Sequence, residues 1–131
     1  MNNCDYCEFS LNTIENPSGD GIYGRYSQNS VYANNILTVN YYGMYLSDGG
    51  NLEVDGNTVT GFSGYGIEFY STENSTFSDN ILISTENNQS SNYGFYNQQA
   101  NSYAIFTNNS IHMQDANDYN YGIYTHNAHI E

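Results

Sequence analysis

The stretch Phe77-Ser78-Asp79-Asn80-Ile81-Leu82 decides the fold, because its pattern recurs five times along the chain. An apolar or aromatic residue is followed three places later by Asn, and two places after that by another apolar residue. The copies are Phe9-Asn12-Ile14, Tyr32-Asn35-Leu37, Val54-Asn57-Val59, Phe77-Asn80-Leu82 and Phe106-Asn109-Ile111. A Gly and an apolar residue follow each copy downstream, as Gly21-Ile22, Gly43-Met44, Gly66-Ile67, Gly94-Phe95 and Gly122-Ile123. A repeat of nearly constant period predicts a solenoid.

The period of the repeat indicates what each unit builds. Its Asn returns after 23, 22, 23 and 29 residues. Apolar residues within a unit alternate at the strand period of two, as in the pairs Met44 and Leu46, Ile67 and Phe69, and Ile81 and Ile83. Strong helix formers are scarce. We therefore predict an all-β, single-domain chain over residues 1–131, a parallel β-helix of about five turns, or rungs, stacked about 4.8 Å apart.

The repeated Asn has a structural role in such a helix. We expect its side chain to tolerate the left-handed backbone of a sharp turn and its amide to hydrogen bond to the Asn above and below. The predicted ladder consists of Asn12, Asn35, Asn57, Asn80 and Asn109. A second ladder is predicted eight residues after the Gly, at Asn29, Asn51 and Asn74.

The N-x-apolar step and the later G-I step resemble the repeats of right-handed parallel β-helix proteins of the pectin-lyase-like superfamily. The resemblance extends from about Phe9 to Ile130 and implies a right-handed, single-stranded solenoid. That group includes lyases, hydrolases, epimerases, phage tailspikes and adhesins, so the resemblance leaves the activity open. The F-x-x-N steps at Phe9, Phe77 and Phe106 are also similar to those of β-helical adhesins and autotransporter passengers.

The charge of the chain narrows the classes of partner. Fourteen acidic residues face a single basic one, Arg25, which gives a net charge of -13. Such a surface repels nucleic acid and anionic lipid, since phosphate binding needs several Lys or Arg side chains. No apolar run approaches the ~18 residues of a membrane span, so we expect no membrane insertion. We expect an extracellular or cell-surface location, although this segment carries no signal peptide pattern.

A stripe of aromatic residues follows the Gly-apolar phrase. If the residue after each Gly faces inward, alternation turns the next one outward. The outward positions are Tyr23, Tyr45, Glu68, Tyr96 and Tyr124, with Tyr70 and His126 two places further on in their rungs. These seven residues are the candidate glycan-binding set, because aromatic rings can stack on sugars. Cross-strand packing explains such a stripe equally well. The tyrosines just before the Gly (Tyr42, Tyr65, Tyr93 and Tyr121) are expected to pack at the turn.

Two insertions lengthen the fourth and fifth rungs, at residues 84–92 and 114–120. They occur at the same point of adjacent rungs, so we expect them to stack into one projecting rim. Glu86, Asp115 and Asp118 are candidate Ca²⁺ ligands there. Their spacing matches no EF-hand or nonapeptide motif, and a solvated acidic loop explains them as well.

The sequence assigns no catalytic residue. Resemblance to β-helical polysaccharide lyases implies a Lys or Arg base, for which Arg25 is the single candidate. The paired-Asp, G-H-G and R-x-K phrases of β-helical polygalacturonases have no matching positions. An inverting hydrolase needs two carboxylates about 6.5–9.5 Å apart, and Glu68 is the single acid on the predicted tyrosine stripe.

Cys4 and Cys7 form a lone C-x-x-C without the further ligands of a zinc site. We interpret them as small apolar residues of the first turn.

Three hypotheses of function follow from these patterns. The first is a non-catalytic, adhesin-like or polysaccharide-binding segment of a surface protein. The second is part of a polysaccharide-degrading enzyme, and the third a tailspike or fibre segment. Neither end of the chain resembles a cap, so we expect the chain to be a segment of a longer solenoid. We also expect that it can associate with itself, end to end or as a trimer.

Overall fold

A computed structural model describes residues 3–16, 18–85, 91–97, 103–114, 119–126 and 129–130, the last pair by backbone alone. Sixteen strands lie within these ranges. Three strands make each of five rungs. The first two rungs consist of β1 (Glu8–Ser10), β2 (Thr13–Asn16), β3 (Ile22–Arg25), β4 (Val31–Ala33), β5 (Ile36–Val39) and β6 (Tyr42–Ser47). The third consists of β7 (Glu53–Asp55), β8 (Thr58–Phe62) and β9 (Tyr65–Tyr70).

The last rungs repeat the same plan. The fourth consists of β10 (Ser75–Ser78), β11 (Ile81–Ser84) and β12 (Asn92–Asn97). The fifth consists of β13 (Tyr103–Thr107), β14 (Ser110–His112) and β15 (Asn120–Thr125). The strand that follows, β16 (His129–Ile130), pairs in parallel with β13. Within the described ranges there is no helix, and therefore none long and apolar enough to cross a membrane.

Equivalent strands of successive rungs pair in parallel and form three sheets. Sheet 1 has the order β1-β4-β7-β10-β13-β16, sheet 2 the order β2-β5-β8-β11-β14, and sheet 3 the order β3-β6-β9-β12-β15. The register places the repeated phrases on top of one another, for example Phe77 beside Val54 and Phe106. The predicted parallel β-helix of five rungs is therefore confirmed.

The core is a stack of the repeated apolar residues. Their side chains point into the interior from all three sheets, and those of the central rungs are fully buried: Tyr32, Val54, Phe77, Leu37, Val59, Leu82, Met44, Ile67 and Phe95. In the last rung the inward residue Ile123 is 42% exposed. Rung stacking thus buries the core, because one rung cannot cover its own apolar residues. Ile81 lies outward and exposed, and the neighbouring Leu82, which is the apolar residue of the repeated phrase, fills the interior.

The predicted Asn ladder is confirmed and runs through the buried interior. The side-chain amide of Asn12 donates to Oδ1 of Asn35 at 2.9 Å, and the same bond continues to Asn57, Asn80 and Asn109 at 2.9, 3.0 and 3.0 Å. Each of these oxygens also accepts the backbone N–H of the Asn one rung earlier. The ladder therefore satisfies polar groups that would otherwise be buried without partners.

The backbone role predicted for the ladder Asn is wrong. The left-handed residue is the one before it, namely Leu11, Asn34, Gly56, Asp79 or Asn108, with φ between 53° and 61°. That bend turns the following Asn into the interior. The second predicted ladder does combine both properties: Asn29, Asn51 and Asn74 have φ near 50°, and Asn51 Nδ2 donates to Asn29 Oδ1 at 2.9 Å.

Cys4 and Cys7 are joined by a disulfide, with their Cα atoms 5.9 Å apart. The interpretation of these cysteines as unbonded apolar residues is therefore wrong. The bond closes a small loop before the first rung.

Candidate functional site: a tyrosine face interrupted by Glu68

The outer side of sheet 3 carries two parallel columns of tyrosine, which we name the tyrosine face. Column one consists of Tyr42, Tyr65, Tyr93 and Tyr121, and column two of Tyr23, Tyr45, Glu68, Tyr96 and Tyr124. The register of the sheet places each column residue beside its equivalent in the next strand. Column two thus brings together five of the seven predicted candidates.

Column one is continuous. Its rings stack at centroid distances of 5.0, 5.1 and 5.0 Å, with interplanar angles of 7°, 21° and 9°. These distances match the spacing between strands. Because ring stacks on ring, the flat faces are covered, and each residue of the column remains only partly exposed. The cross-strand packing explanation of the tyrosines therefore applies to this column.

Column one was expected to pack at the turn, but its residues lie in β6, β9, β12 and β15. The reason is an extra residue in each strand. Gly43 and Met44 are both buried, and Gly43 is passed over in the pairing of β6 with β9. Consequently Tyr42 and Tyr45 both point outward, three residues apart. A strict period of two would have turned one of them inward.

Column two is broken at its centre. Tyr23 stacks on Tyr45 at 5.0 Å, and Tyr96 stacks on Tyr124 at 5.3 Å. Between these two pairs lies Glu68, in register with Tyr45 on one side and Tyr96 on the other. Tyr45 and Tyr96 make no ring contact with each other. The stack of rings is therefore interrupted at Glu68, and we name this interruption the Glu68 notch. On its Glu68 side the ring of Tyr45 lacks an aromatic neighbour.

Neighbouring rings close over Tyr96. The ring lies 4.4 Å from Tyr65 and 4.7 Å from Tyr93, and the residue is only 7% exposed. It therefore forms a wall of the notch and offers little surface of its own. Tyr23, by contrast, is 47% exposed at the other end of the column.

Glu68 is a carboxyl group in an aromatic setting. Burial raises its pKa to about 7, because removal from water disfavours the charged form. Across the part of the chain that the structure describes, its side chain has neither a hydrogen bond nor an ion-pair partner. Burial also raises the pKa values of Tyr42, Tyr45, Tyr65 and Tyr96, and the charge of Glu68 contributes to each shift.

The stability of the protein should depend on pH through Glu68. The pKa of its carboxyl is higher in the folded chain than in the unfolded chain, so the folded chain binds more protons between about pH 4.5 and 7. The free energy of unfolding therefore falls as the pH rises through that window. We expect Glu68→Gln to raise the free energy of unfolding by about 1–2 kcal/mol at pH 8, where the figure is reduced because Glu68 is partly exposed to solvent. At pH 4 we expect the substitution to leave the free energy of unfolding unchanged. Urea denaturation at both pH values measures this.

Glu53→Gln is the matched control, because Glu53 is exposed on sheet 1 and the change in charge is the same. A pH-independent gain in Glu68→Gln, or an equal gain in both variants, would show that Glu68 is not the titrating group.

Two predicted candidates lie apart from the notch. Tyr70 ends β9, two residues beyond Glu68 and in register with Ser47. His126 follows β15, is exposed, and donates its backbone N–H to the carbonyl of Asn97 at 3.0 Å. The structure gives neither residue a ring contact with the tyrosine face.

The residues at the bases of the two insertions are hydrogen bonded to one another, whereas the predicted rim itself falls on residues 86–90 and 115–118, outside the described ranges. Gln114 N–H donates to Ser84 Oγ at 2.7 Å, and Asn92 N–H donates to the carbonyl of Tyr119 at 3.0 Å. Glu86, Asp115 and Asp118, the candidate Ca²⁺ ligands, lie outside the described residues. Among residues inside those ranges, no three His, Cys, Asp or Glu side chains converge as a metal site would require.

A second concave surface lies at the corner after sheet 3. This polar groove of about 380 Å³ is lined by residues that include Asp48, Gly49, Gly50 and Glu73. Arg25 Nε lies 3.2 Å from Asp48 Oδ2, in the one salt bridge found among the described residues. The sole basic side chain of the repeats is therefore held away from Glu68.

Comparison with known proteins agrees with this architecture. A family model described as "Right handed beta helix region" matches residues 1–130. Neither the curated proteins nor the solved structures include a match to the chain. The match covers nearly the whole chain and includes all five rungs, so it also gives the hand of the solenoid. The chain belongs to the right-handed β-helix family.

Proposed function

We propose that this β-helix is a non-catalytic, polysaccharide-binding segment of an adhesin-like surface protein, and that its ligand contacts the tyrosine face at the Glu68 notch. The observation that carries the proposal is the break in column two. There a ring face of Tyr45, inside the column, is left without an aromatic neighbour, whereas the rings of column one stack without a break. Ring faces and hydroxyl groups together suit the apolar and polar sides of a sugar.

Two further features support a carbohydrate ligand. The ring centroids of column one repeat at about 5 Å along the sheet, which suits a polymer that runs across the strands. The face is also rigid, since each ring is held by neighbours in adjacent strands. Rigid aromatic groups lose little conformational entropy when they bind.

The test is a polysaccharide screen followed by single substitutions. We expect binding of at least one polysaccharide, without release of new reducing ends or unsaturated products. Tyr45→Ala should weaken that binding roughly tenfold, about 1.4 kcal/mol. Tyr45→Phe, which keeps the ring, should retain most of it. Affinity electrophoresis in gels containing the polysaccharide measures both.

Tyr6→Asn is the control for these variants, because Tyr6 is 79% exposed before the first rung and its φ of 55° suits Asn. A loss of affinity in the Tyr6 variant equal to that of Tyr45→Ala would argue against the notch as the site. Binding to none of the polysaccharides would overturn the proposed function itself.

A polysaccharide-degrading enzyme is the second candidate, and one observation favours it. A carboxyl with a pKa near 7, as Glu68 has, suits a general acid. A hydrolase also needs a second carboxylate. Asp20 accepts the backbone N–H of Tyr42, and Asp48 pairs with Arg25, so the acids that flank the face already have partners. Release of reducing ends that stops in Glu68→Gln would favour the enzyme.

A further inference from the structure

Within the described ranges, no cationic side chain pairs with the Glu68 carboxylate. The chain contains no Lys and a single Arg, and that Arg25 is bound to Asp48 at 3.2 Å. The three His residues lie at position 112 and beyond, in the fifth rung and after it, whereas Glu68 lies in the third. Since an isolated carboxylate among aromatic rings is costly, a cation that fits the notch would be bound favourably from outside.

The groups around Glu68 indicate what kind of cation fits. Four tyrosines interact electrostatically with it: Tyr42 and Tyr45 from β6, Tyr65 from β9 and Tyr96 from β12. Ca²⁺ takes six to eight oxygen ligands, more than one carboxylate and a few phenols offer. Aromatic rings attract organic ammonium groups through their negative faces. A carboxylate with aromatic walls therefore selects an ammonium group over a metal ion.

The surroundings of the notch indicate the molecule that carries this group. Tyrosine hydroxyl groups continue along both columns on either side of Glu68, as an extended polymer of hydroxylated units would require. The net charge of -13 favours a cationic polymer over an anionic one.

We infer that the Glu68 notch binds the protonated amine of an amino sugar within a polysaccharide, with the carboxylate of Glu68 as its ion-pair partner and Tyr45 as the stacking surface. The inference rests on the proposed function and names its ligand class. Because the sugar ring stacks on Tyr45 while the amine meets Glu68, N-acetylation would remove the charge without removing the stacking. Selectivity for the free amine is thus the property that distinguishes this ligand class.

The test compares a glucosamine pentasaccharide with its fully N-acetylated form by isothermal titration calorimetry at pH 7 and low salt. We expect the wild-type chain to bind the free-amine form at least about tenfold more tightly. In Glu68→Gln the preference should fall to within about threefold, whereas Glu53→Gln, with the same change in net charge, should retain it. Thermal melting of each variant verifies the fold.

The other outcomes separate this inference from the proposed function. Equal loss of preference in both variants would indicate attraction by overall charge and would overturn the role of Glu68. Equal affinity for both pentasaccharides, or binding of only an uncharged polysaccharide, would overturn the amine ligand while leaving the proposed function intact. A Lys-rich peptide that binds in a Glu68-dependent way, while the amino sugar does not, would also overturn it.

Discussion

Asn57→Ala is expected to lower the free energy of unfolding by about 3–5 kcal/mol, which corresponds to a fall of roughly 10 °C or more in melting temperature. Asn57 Oδ1 accepts the backbone N–H of Asn35 at 3.0 Å and its side-chain amide at 2.9 Å. Asn57 Nδ2 donates to the carbonyl of Tyr32 at 2.8 Å and to Asn80 Oδ1 at 3.0 Å. All four residues are fully buried, so water cannot replace the lost bonds.

Asn40→Ala is the matched control for the ladder variant. Asn40 is exposed and its side chain makes no hydrogen bond within the described residues, so its loss should change the stability by less than about 0.5 kcal/mol. Asn57→Asp tests the chemistry of the ladder further, because it keeps an acceptor and removes the donor. We expect it to be at least as destabilising as Ala. Equal melting temperatures of the Asn57 and Asn40 variants would refute the ladder.

Gly43→Ala is expected to cost about 3 kcal/mol, at the upper end of the range for overpacking. A Cβ atom at Gly43 would collide with the carbonyl oxygen of Gly66 and with Cγ1 of Val59. The same contact recurs along the Gly column, where a Cβ at Gly94 would lie 2.5 Å from the carbonyl oxygen of Gly122. Backbone cannot move aside as a flexible side chain can, so the rungs would have to separate.

Gly122→Ala occupies the same place in the repeat and provides the control. Among the residues that the structure describes, a Cβ there would meet only Ile111 Cδ1, at an ordinary 3.9 Å. We expect no loss of stability, and a small gain from the reduced freedom of the unfolded chain. Chemical denaturation of both variants measures the difference. If Gly122→Ala were as destabilising as Gly43→Ala, rung-to-rung contact would not be what requires Gly in this column.

The repeat was sufficient to predict the architecture because identical positions in successive rungs must satisfy identical constraints. The apolar residues of the repeated phrase have to fill the interior, and the Asn has to satisfy its buried neighbours. Both requirements therefore repeat in the sequence once per rung, after 23, 22, 23 and 29 residues. Leu82 follows this rule, because it is the apolar residue of the repeated phrase and is fully buried, whereas the neighbouring Ile81 lies outward and exposed.

The site was predicted only in part, for reasons of local geometry. Column one depends on the extra residue at Gly43 and its equivalents, which moves Tyr42 to the outer face. Alternation along a strand cannot reveal such an insertion. The repeated Tyr-Gly-apolar-x spacing was the signal in the sequence from which the insertion could have been found. Glu68 was placed on the face correctly. Its raised pKa depends on how closely the neighbouring rings pack, which the sequence does not specify.

The most direct test of ligand binding at the tyrosine face is a titration followed by ¹H–¹³C spectra of the tyrosine rings. The ligand is the oligosaccharide with the highest affinity in the screen. We predict that ring signals of Tyr45, Tyr65 and Tyr96, around the notch, shift with saturation, while those of the buried Tyr32 and the distant Tyr6 do not. Shifts confined to Tyr6 and Tyr26, or saturating binding that leaves the Tyr45 ring signals unmoved, would contradict the assignment of the site to the Glu68 notch.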